Sequence, residues 1–208
     1  MQRVGILGGT FDPVHEGHLA VADFVLHALS LARVILVPAA RPWMKEGEVV
    51  ASPKDRLQML ELAISGRPGL EVSTVDVERP GAAYSVDTVA DLKSRLDPDT
   101  ELFFIVGADA AAEMDRWRDP EHLLRECTVV AVGRPGCPLA RQGGAARRVM
   151  HLDGPDVDVS ATDVRARLAS GRSADGLTPP AVLDYIREHG LYADANRPVP
   201  RSGTEAKA

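Results

Sequence analysis

Cysteine, aromatic side chains and long apolar runs are all scarce in this chain. Its 208 residues include 2 cysteines, Cys127 and Cys137, whose spacing matches neither a zinc-binding pair nor a disulfide framework. No apolar run reaches the roughly 18 to 20 residues that a membrane-spanning helix needs. The first residues contain glycines and an aspartate where a signal peptide would need an apolar segment. We therefore predict a cytoplasmic protein that does not contact a membrane.

Excess positive charge is also missing, since the net charge is −6. Binding to a nucleic acid polymer needs a surface that neutralises many phosphates, so this balance argues against such a partner. It leaves room for a small phosphate ligand held by a few well-placed groups. The apolar fraction of 45% is enough for a core. We predict one domain over residues 1–192 and a disordered tail over 193–208, which has two prolines and no apolar periodicity. The sequence leaves the oligomeric state open.

Strand and helix patterns alternate along the chain. Together they predict an α/β fold: a Rossmann-like, doubly wound parallel sheet with helices on both faces, in a single domain with a C-terminal helical segment. Ser85 is expected to cap the third helix. The predicted strands are Arg3–Leu7, Val34–Val37, Leu70–Val75, Leu102–Val106, Thr128–Val132 and Val149–Leu152, and the predicted helices are Glu16–Leu29, Pro53–Ile64, Ser85–Leu96, Ala161–Leu168 and Pro180–His189.

The most informative segment is GTFDPVHEGH, between the first strand and the first helix. Its glycines do not follow the G-x-G-x-x-G spacing of a dinucleotide-binding turn, and no phosphate-binding G-x-x-x-x-G-K-[ST] loop occurs. Gly8 and Gly9 nevertheless let the backbone approach a ligand without a β-carbon in the way. Ligands bind at the carboxyl ends of parallel strands, where the N-terminus of the following helix attracts anions. The segment therefore predicts an anion-binding site.

His15 and His18 are three residues apart at the start of that helix, so both rings lie on one face. Such a pair can donate hydrogen bonds to a phosphate whose charge grows in a transition state. Taken alone, the pair would also fit an ordinary helix start with two surface histidines. A zinc site is a further alternative, but the H-E-x-x-H spacing is absent and no third ligand is apparent. The position after a glycine turn favours the phosphate site.

A second segment, VSATDVR (Val159–Arg165), lies about 140 residues further on. Ser160 and Thr162 can cap a helix whose first turn carries Arg165, and that arrangement can bind a phosphate. By itself the segment would also fit a plain helix cap with a solvated arginine.

The first segment resembles the signature of the HxGH nucleotidyltransferases, and VSATDVR is similar to their second signature. Within that superfamily the chain resembles the bacterial nicotinate-nucleotide adenylyltransferases from Arg3 to about Tyr192. Three further stretches carry this resemblance: YSVDT, GAD with Trp117 eight residues later, and LTPPAVLDYIREHGLY. The resemblance implies transfer of AMP from ATP to nicotinate mononucleotide in NAD biosynthesis, with Mg²⁺ accompanying the ATP and no metal ligands from protein side chains.

The resemblance also implies the site residues. The catalytic group would stabilise charge on the triphosphate, a second group would bind ATP, and a third would bind the mononucleotide. In the third group, backbone amides near Tyr84 and Ser85 would hold the nicotinate carboxylate, Trp117 would stack near the pyridine ring, and Asp109 would lie near a ribose. The catalytic group is His15, His18, Lys45 and Arg165; the ATP group is Gly8, Gly9, Thr10, Phe11, Ser160 and Thr162; the mononucleotide group is Asp12, Tyr84, Ser85, Thr88, Gly107, Asp109, Trp117 and Arg134.

Taken without the resemblance, Trp117 would be a rim or core aromatic, Asp109 a helix cap and Arg134 a surface residue. The chain also departs from the family in one loop, where members often have P-P-H-K. Here Met44 replaces the histidine while Lys45 is retained, and Trp43 either covers the substrate or simply packs.

Three rival functions remain open at this point. The chain could be a phosphopantetheine adenylyltransferase or a cytidylyltransferase of the same superfamily, although those are typically shorter. It could prefer nicotinamide mononucleotide, which differs from the acid only in an uncharged amide. It could also be a non-catalytic nucleotide-binding module, although retention of both signatures argues against that.

Overall fold

The computed structural model describes residues 2–42, 49–133 and 144–193. Within these ranges six strands form one sheet in the order β3-β2-β1-β4-β5-β6, and every neighbouring pair is parallel. This confirms the predicted Rossmann-like parallel sheet. The strands are β1 (Arg3–Gly9), β2 (Arg33–Pro38), β3 (Leu70–Val72), β4 (Glu101–Gly107), β5 (Thr128–Val132) and β6 (Met150–Leu152).

Helices follow the strands and cover both faces of the sheet. Short 3-10 turns at Met114–Arg116 and Gly144–Arg148 complete the regular structure of the described ranges. The α-helices there are α1 (Glu16–Ala28), α2 (Pro53–Ile64), α3 (Val75–Glu78), α4 (Ser85–Arg95), α5 (Ala108–Ala112), α6 (Pro120–Glu126), α7 (Ala161–Ala169) and α8 (Pro180–Glu188).

The sheet separates two apolar cores. Successive strand residues point to opposite faces, so Ile6 enters one core and Leu7 the other. The core on the Leu7 side contains side chains from α1, α2 and α8, whereas the core on the Ile6 side contains side chains from α4 and α6. Because both faces are covered, the central strands β1, β2, β4 and β5 are apolar after their first residue, as is typical of parallel sheets.

Three details of the predicted elements are wrong. Strand β3 stops at Val72 instead of Val75, because the chain turns at Thr74 into the one-turn helix α3. The cap of α4 is Tyr84 rather than Ser85, which is the first helical residue. Helices α5 and α6 have 5 and 7 residues and were not predicted. Such short helices carry too few turns for a hydrophobic period to show.

The domain boundary stays a prediction, and the predicted tail lies outside the described residues except for Ala193. Among the described residues, no helix combines the length and apolar character required to span a bilayer.

Candidate active site

A cavity of about 470 Å³ lies at the carboxyl ends of β1 and β4. These two strands are neighbours in the sheet, and the chain leaves them toward opposite faces. Open α/β sheets bind ligands at this switch point. The cavity brings together residues of both signatures and of the YSVDT and GAD segments. The predicted site residues that line it are Gly8, Gly9, Thr10, Phe11, Asp12, His15, His18, Ser85, Thr88, Gly107, Asp109, Trp117, Ser160, Thr162 and Arg165.

The loop after β1 is shaped by close backbone packing. A β-carbon on Gly9 would lie 2.9 Å from the ring of Phe11, so any other residue there would have to displace that buried ring. Phe11 itself has a φ of 51° and is buried. The turn then carries the chain through Asp12, whose carboxylate accepts hydrogen bonds from the backbone N–H groups of Val50 and Ala51 at 2.7 and 3.1 Å. The expected contact of Asp12 with the mononucleotide stays a prediction.

The two signature histidines stack on each other at the start of α1, with ring centroids 3.7 Å apart. His18 Nδ1 accepts a hydrogen bond from the backbone N–H of His15 at 3.3 Å, which in the neutral ring leaves the proton on Nε2. The edge of Phe11 contacts His18, with centroids 4.8 Å apart. These contacts fix the orientation of both rings on the wall of the cavity.

The second signature reaches the same wall. Ser160 caps α7 by accepting a hydrogen bond from the N–H of Asp163 at 3.1 Å, as predicted from the sequence. One turn later, Arg165 Nη1 donates to the carbonyl of Asp12 at 2.7 Å, and Nη2 lies 3.4 Å from the hydroxyl of Thr162. The hydrogen bond to Asp12 therefore holds one nitrogen of the guanidinium against the loop after β1, and the side chain lies on the cavity wall.

The start of α4 forms part of the opposite wall. Ser85 is its first residue, so the N–H groups of the first helical turn lie at this side of the cavity. The hydroxyl of Thr88 is buried and donates to the carboxylate of Asp76 at 2.7 Å. The ring of Tyr84 is covered by the guanidinium of Arg118, whose carbon lies 4.8 Å from the ring centre.

Trp117 and Asp109 complete this wall. The indole packs edge-on against Phe104, with ring centroids 6.2 Å apart and planes at 83°. Asp109 lies exposed in the first turn of α5, and the cap of that helix is Gly107 instead. The alternative reading of Asp109 as a helix cap is therefore wrong.

Two predicted site residues, Lys45 and Arg134, lie outside the described residues.

Two buried charged groups next to the site, Asp76 and Arg56, are not among the predicted site residues. Asp76 lines the cavity and also contacts Arg79 at 3.0 Å. Burial raises the pKa of its carboxyl, although the hydrogen bond from Thr88 and the charge of Arg79 oppose that rise. Arg56 is fully buried, and its guanidinium donates to the carbonyls of Thr10, Ala39, Ala40 and Ala51. Neither residue belongs to a recognisable motif, so no sequence signal indicated it.

The described residues contain no group of three or more histidine, cysteine or acidic side chains placed to hold a metal ion. Apart from the buried carboxylate of Asp12, the polar side chains that the first and second signatures bring to the cavity wall are two imidazoles, a guanidinium and hydroxyls. Such donors suit phosphate oxygens.

Comparison with known proteins identifies the class. A family model described as cytidylyltransferase-like matches residues 6–167, more than three quarters of the chain. The chain therefore belongs to the cytidylyltransferase-like nucleotidyltransferases.

Relatives with high sequence identity to this chain identify a narrower family within the class. A protein of Dehalococcoides mccartyi named as a probable nicotinate-nucleotide adenylyltransferase is 41% identical over 91% of this chain and 97% of its own length. One of the same name from Corynebacterium kroppenstedtii is 43% identical over 91% and 90%. The chain belongs to the nicotinate-nucleotide adenylyltransferase family. The fold is also that of the Plasmodium falciparum nicotinic acid mononucleotide adenylyltransferase complexed with NaAD, with a TM-score of 0.76 at 18% identity, covering 92% of this chain and 98% of that one.

Proposed function

We propose that this protein transfers the AMP part of ATP to nicotinate mononucleotide, releasing nicotinate adenine dinucleotide and pyrophosphate in NAD biosynthesis. The observation that carries the proposal is the meeting of His15, His18 and Arg165 on one cavity whose opposite wall begins α4. Phosphate-binding groups thus face a site suited to a second anionic substrate. Family membership supports the same reaction.

Chemistry at this site needs charge stabilisation more than covalent participation. A phosphate oxygen of the mononucleotide attacks the α-phosphorus of ATP, and the bond from that phosphorus to the bridging oxygen of the β-phosphate breaks in line. Charge builds up on the pyrophosphate that leaves. We propose that His15, His18 and Arg165, which line the cavity, stabilise this charge and that Lys45 joins them. No protein nucleophile is required, because positioning two bound anions supplies much of the rate enhancement.

Nucleotidyltransferases of this class generally use a divalent metal together with ATP. We propose that the metal here is Mg²⁺ and that it enters as part of the substrate, bound to the triphosphate. The nitrogen and hydroxyl donors on the cavity wall fit this arrangement, since they bind phosphate oxygens and leave the metal to the phosphates themselves. The ion would supply further charge neutralisation for the leaving pyrophosphate.

On the other side of the cavity, the acid form of the mononucleotide is favoured by α4. Backbone N–H groups near Tyr84 and Ser85, together with the positive end of the helix dipole, attract a carboxylate more strongly than a neutral amide. The face of Trp117 is proposed to stack near the pyridine ring. Asp109 and Gly107 would then lie near the ribose, and Arg134 near the mononucleotide phosphate.

The test compares three acceptors with MgATP: nicotinate mononucleotide, nicotinamide mononucleotide and phosphopantetheine. Pyrophosphate release and the dinucleotide product are measured for each. We expect the nicotinate compound to give the highest kcat/KM by at least tenfold. A preference for either other acceptor would reassign the substrate. ATP binding without pyrophosphate release would indicate a non-catalytic module. The cytoplasmic location stays a prediction.

A further inference from the structure

The last described aromatic residue, Tyr192, reaches back to the first loop of the cavity. Its hydroxyl donates to Asp12 Oδ1 at 2.5 Å across 180 positions of sequence. Asp12 is 2% exposed, and its carboxylate also accepts the N–H groups of Val50 and Ala51. Three donors therefore hold one buried carboxylate, and only the tyrosine among them comes from the C-terminal part of the chain.

Asp12 in turn contacts the arginine of the second signature. Its backbone carbonyl accepts Arg165 Nη1 at 2.7 Å, and its Oδ2 lies 4.0 Å from the same nitrogen. Asp12 is thus the link between Tyr192 and a guanidinium on the cavity wall. Movement of the Asp12 peptide would move the anchor point of Arg165 by a similar distance.

Tyr192 is itself held in an unusual conformation. Its φ is 59°, in the left-handed region that a residue with a side chain adopts only where surrounding contacts enforce it. The ring packs in the core that contains α1, α2 and α8. Burial raises the pKa of the phenol, and the hydrogen bond and charge of Asp12 raise it further. The phenol therefore stays protonated and can donate to Asp12.

We propose that Tyr192 is a positioning residue for adenylyl transfer, acting through Asp12 to fix Arg165 against the triphosphate of ATP. This inference rests on the proposed function for the reaction and for the triphosphate that Arg165 would meet. The link from Tyr192 through Asp12 to Arg165 stands on the contacts themselves.

Two neighbouring contacts show why this role falls to Tyr192. The N–H of Glu16 donates to the carbonyl of Leu177 at 2.8 Å, and the hydroxyl of Thr178 donates to the carbonyl of Val14 at 2.6 Å. Both hold the backbone where α1 begins. Tyr192 instead holds the carboxylate of Asp12, the residue whose carbonyl anchors Arg165.

The test is Tyr192→Phe, which keeps the ring and removes only the hydroxyl. We expect kcat to fall about 10-fold, as for other losses of positioning near a reacting centre, while KM for ATP rises by a smaller factor of about 3- to 5-fold. The same substitution in an Arg165→Met background should change kcat by less than 2-fold, because the residue being positioned is then absent.

Two control variants separate positioning from stability. Tyr185→Phe removes a phenol that donates to Asp55 at 2.9 Å, and neither residue lines the cavity. Ile186→Val removes one methylene from the same core and lowers stability without touching Asp12. All variants are assayed at least 15 °C below their melting temperatures. Both controls should retain wild-type kcat.

Two outcomes would overturn the proposal. One is a wild-type kcat in Tyr192→Phe. The other is an equal loss with and without Arg165, which would mean that Tyr192 acts on something else. If the wild-type protein turns over none of the three acceptors, the proposed reaction fails. The Tyr192 proposal is then tested by the dissociation constant for α,β-methylene-ATP instead of kcat. Tyr192→Phe should then weaken that affinity at least 3-fold only when Arg165 is present, and an unchanged affinity overturns the proposal.

Discussion

Gly17 faces the carbonyl oxygen of Val159 so closely that a β-carbon on it would lie 3.2 Å from that oxygen and 3.0 Å from Nδ1 of His15. Gly17 is therefore a second point of contact between the two signatures, beside the hydrogen bond from Arg165 to the carbonyl of Asp12. A side chain here would have to move either the histidine ring or the start of α7.

This contact predicts the effect of Gly17→Ala. Alanine favours helix by about 1 kcal/mol over glycine, which offsets the crowding, so the melting temperature should change little. Because His15 and the residues before Ser160 must shift by a few tenths of an ångström, we expect kcat to fall about 10-fold or more. Steady-state kinetics and thermal unfolding measure the two effects.

Gly66→Ala is the matched control for Gly17→Ala. Gly66 has a φ of 75° and open space around its α-carbon, so alanine there is strained but touches nothing. It should lower stability by about 1 kcal/mol and leave kcat unchanged. The contact between the signatures would be unimportant if Gly17→Ala behaved in the same way as Gly66→Ala.

His18→Ala removes a proposed donor to the triphosphate. We expect kcat to fall about 10²-fold or more, as for other lost transition-state donors, with the fold retained. His27→Ala in the same helix is the control, because that ring is exposed and contacts the carbonyl of Asp23 at 2.7 Å. Near-normal turnover in a folded His18→Ala protein would contradict the mechanism.

Elements with strong local signals could be predicted from the sequence. Helix α2 begins at Pro53 because Ser52 caps it, and both signals are adjacent in the chain. Strand β5 is the β-branched run TVVAV, bounded as expected. The first signature and the GAD segment likewise lie on one cavity, because the sheet order places the carboxyl ends of β1 and β4 side by side.

Hydrogen-bonded residues that are far apart in the sequence and meet only in the folded protein could not be predicted. Tyr192 follows α8 and looks like the end of a helical segment, yet its hydroxyl reaches Asp12 in the first loop. Arg56 has the same sequence surroundings as a surface arginine of an amphipathic helix. It becomes buried because four carbonyls from separate segments converge on it. Such contacts leave no periodicity or motif along the chain.

The buried carboxyl of Asp76 predicts a pH-dependent stability. Its pKa is raised above the ordinary value of 3.8 in the folded protein, chiefly by burial, so the folded state holds its proton more tightly than the unfolded state does. The wild-type protein is then destabilised as the pH rises from about 3.8 through the raised pKa. Asp76→Asn removes this titration while keeping an acceptor for Thr88.

Urea unfolding at pH 4.5, 5.5 and 7 measures the effect. The free energy of unfolding of Asp76→Asn, relative to wild type, should increase across this series. Asp97→Asn, at an exposed position, should follow wild type at every pH. A pH-independent difference for Asp76→Asn would mean that the carboxyl is charged equally in the folded and unfolded states.

Arg56 supports the loop after β1 from inside the protein. Burial lowers the pKa of its guanidinium, and the charge of Asp12 opposes that change. Arg56→Met leaves four carbonyls without their donor and should lower the free energy of unfolding by about 3 to 5 kcal/mol. Arg95→Met is the control, since its contact with Glu78 is 3.9 Å long and exposed, and we expect a change within about 0.5 kcal/mol. Urea unfolding measures both free energies. If the two variants were equally stable, the four hydrogen bonds from Arg56 would not stabilise the protein, and Thr10 would be held on the cavity wall by other contacts.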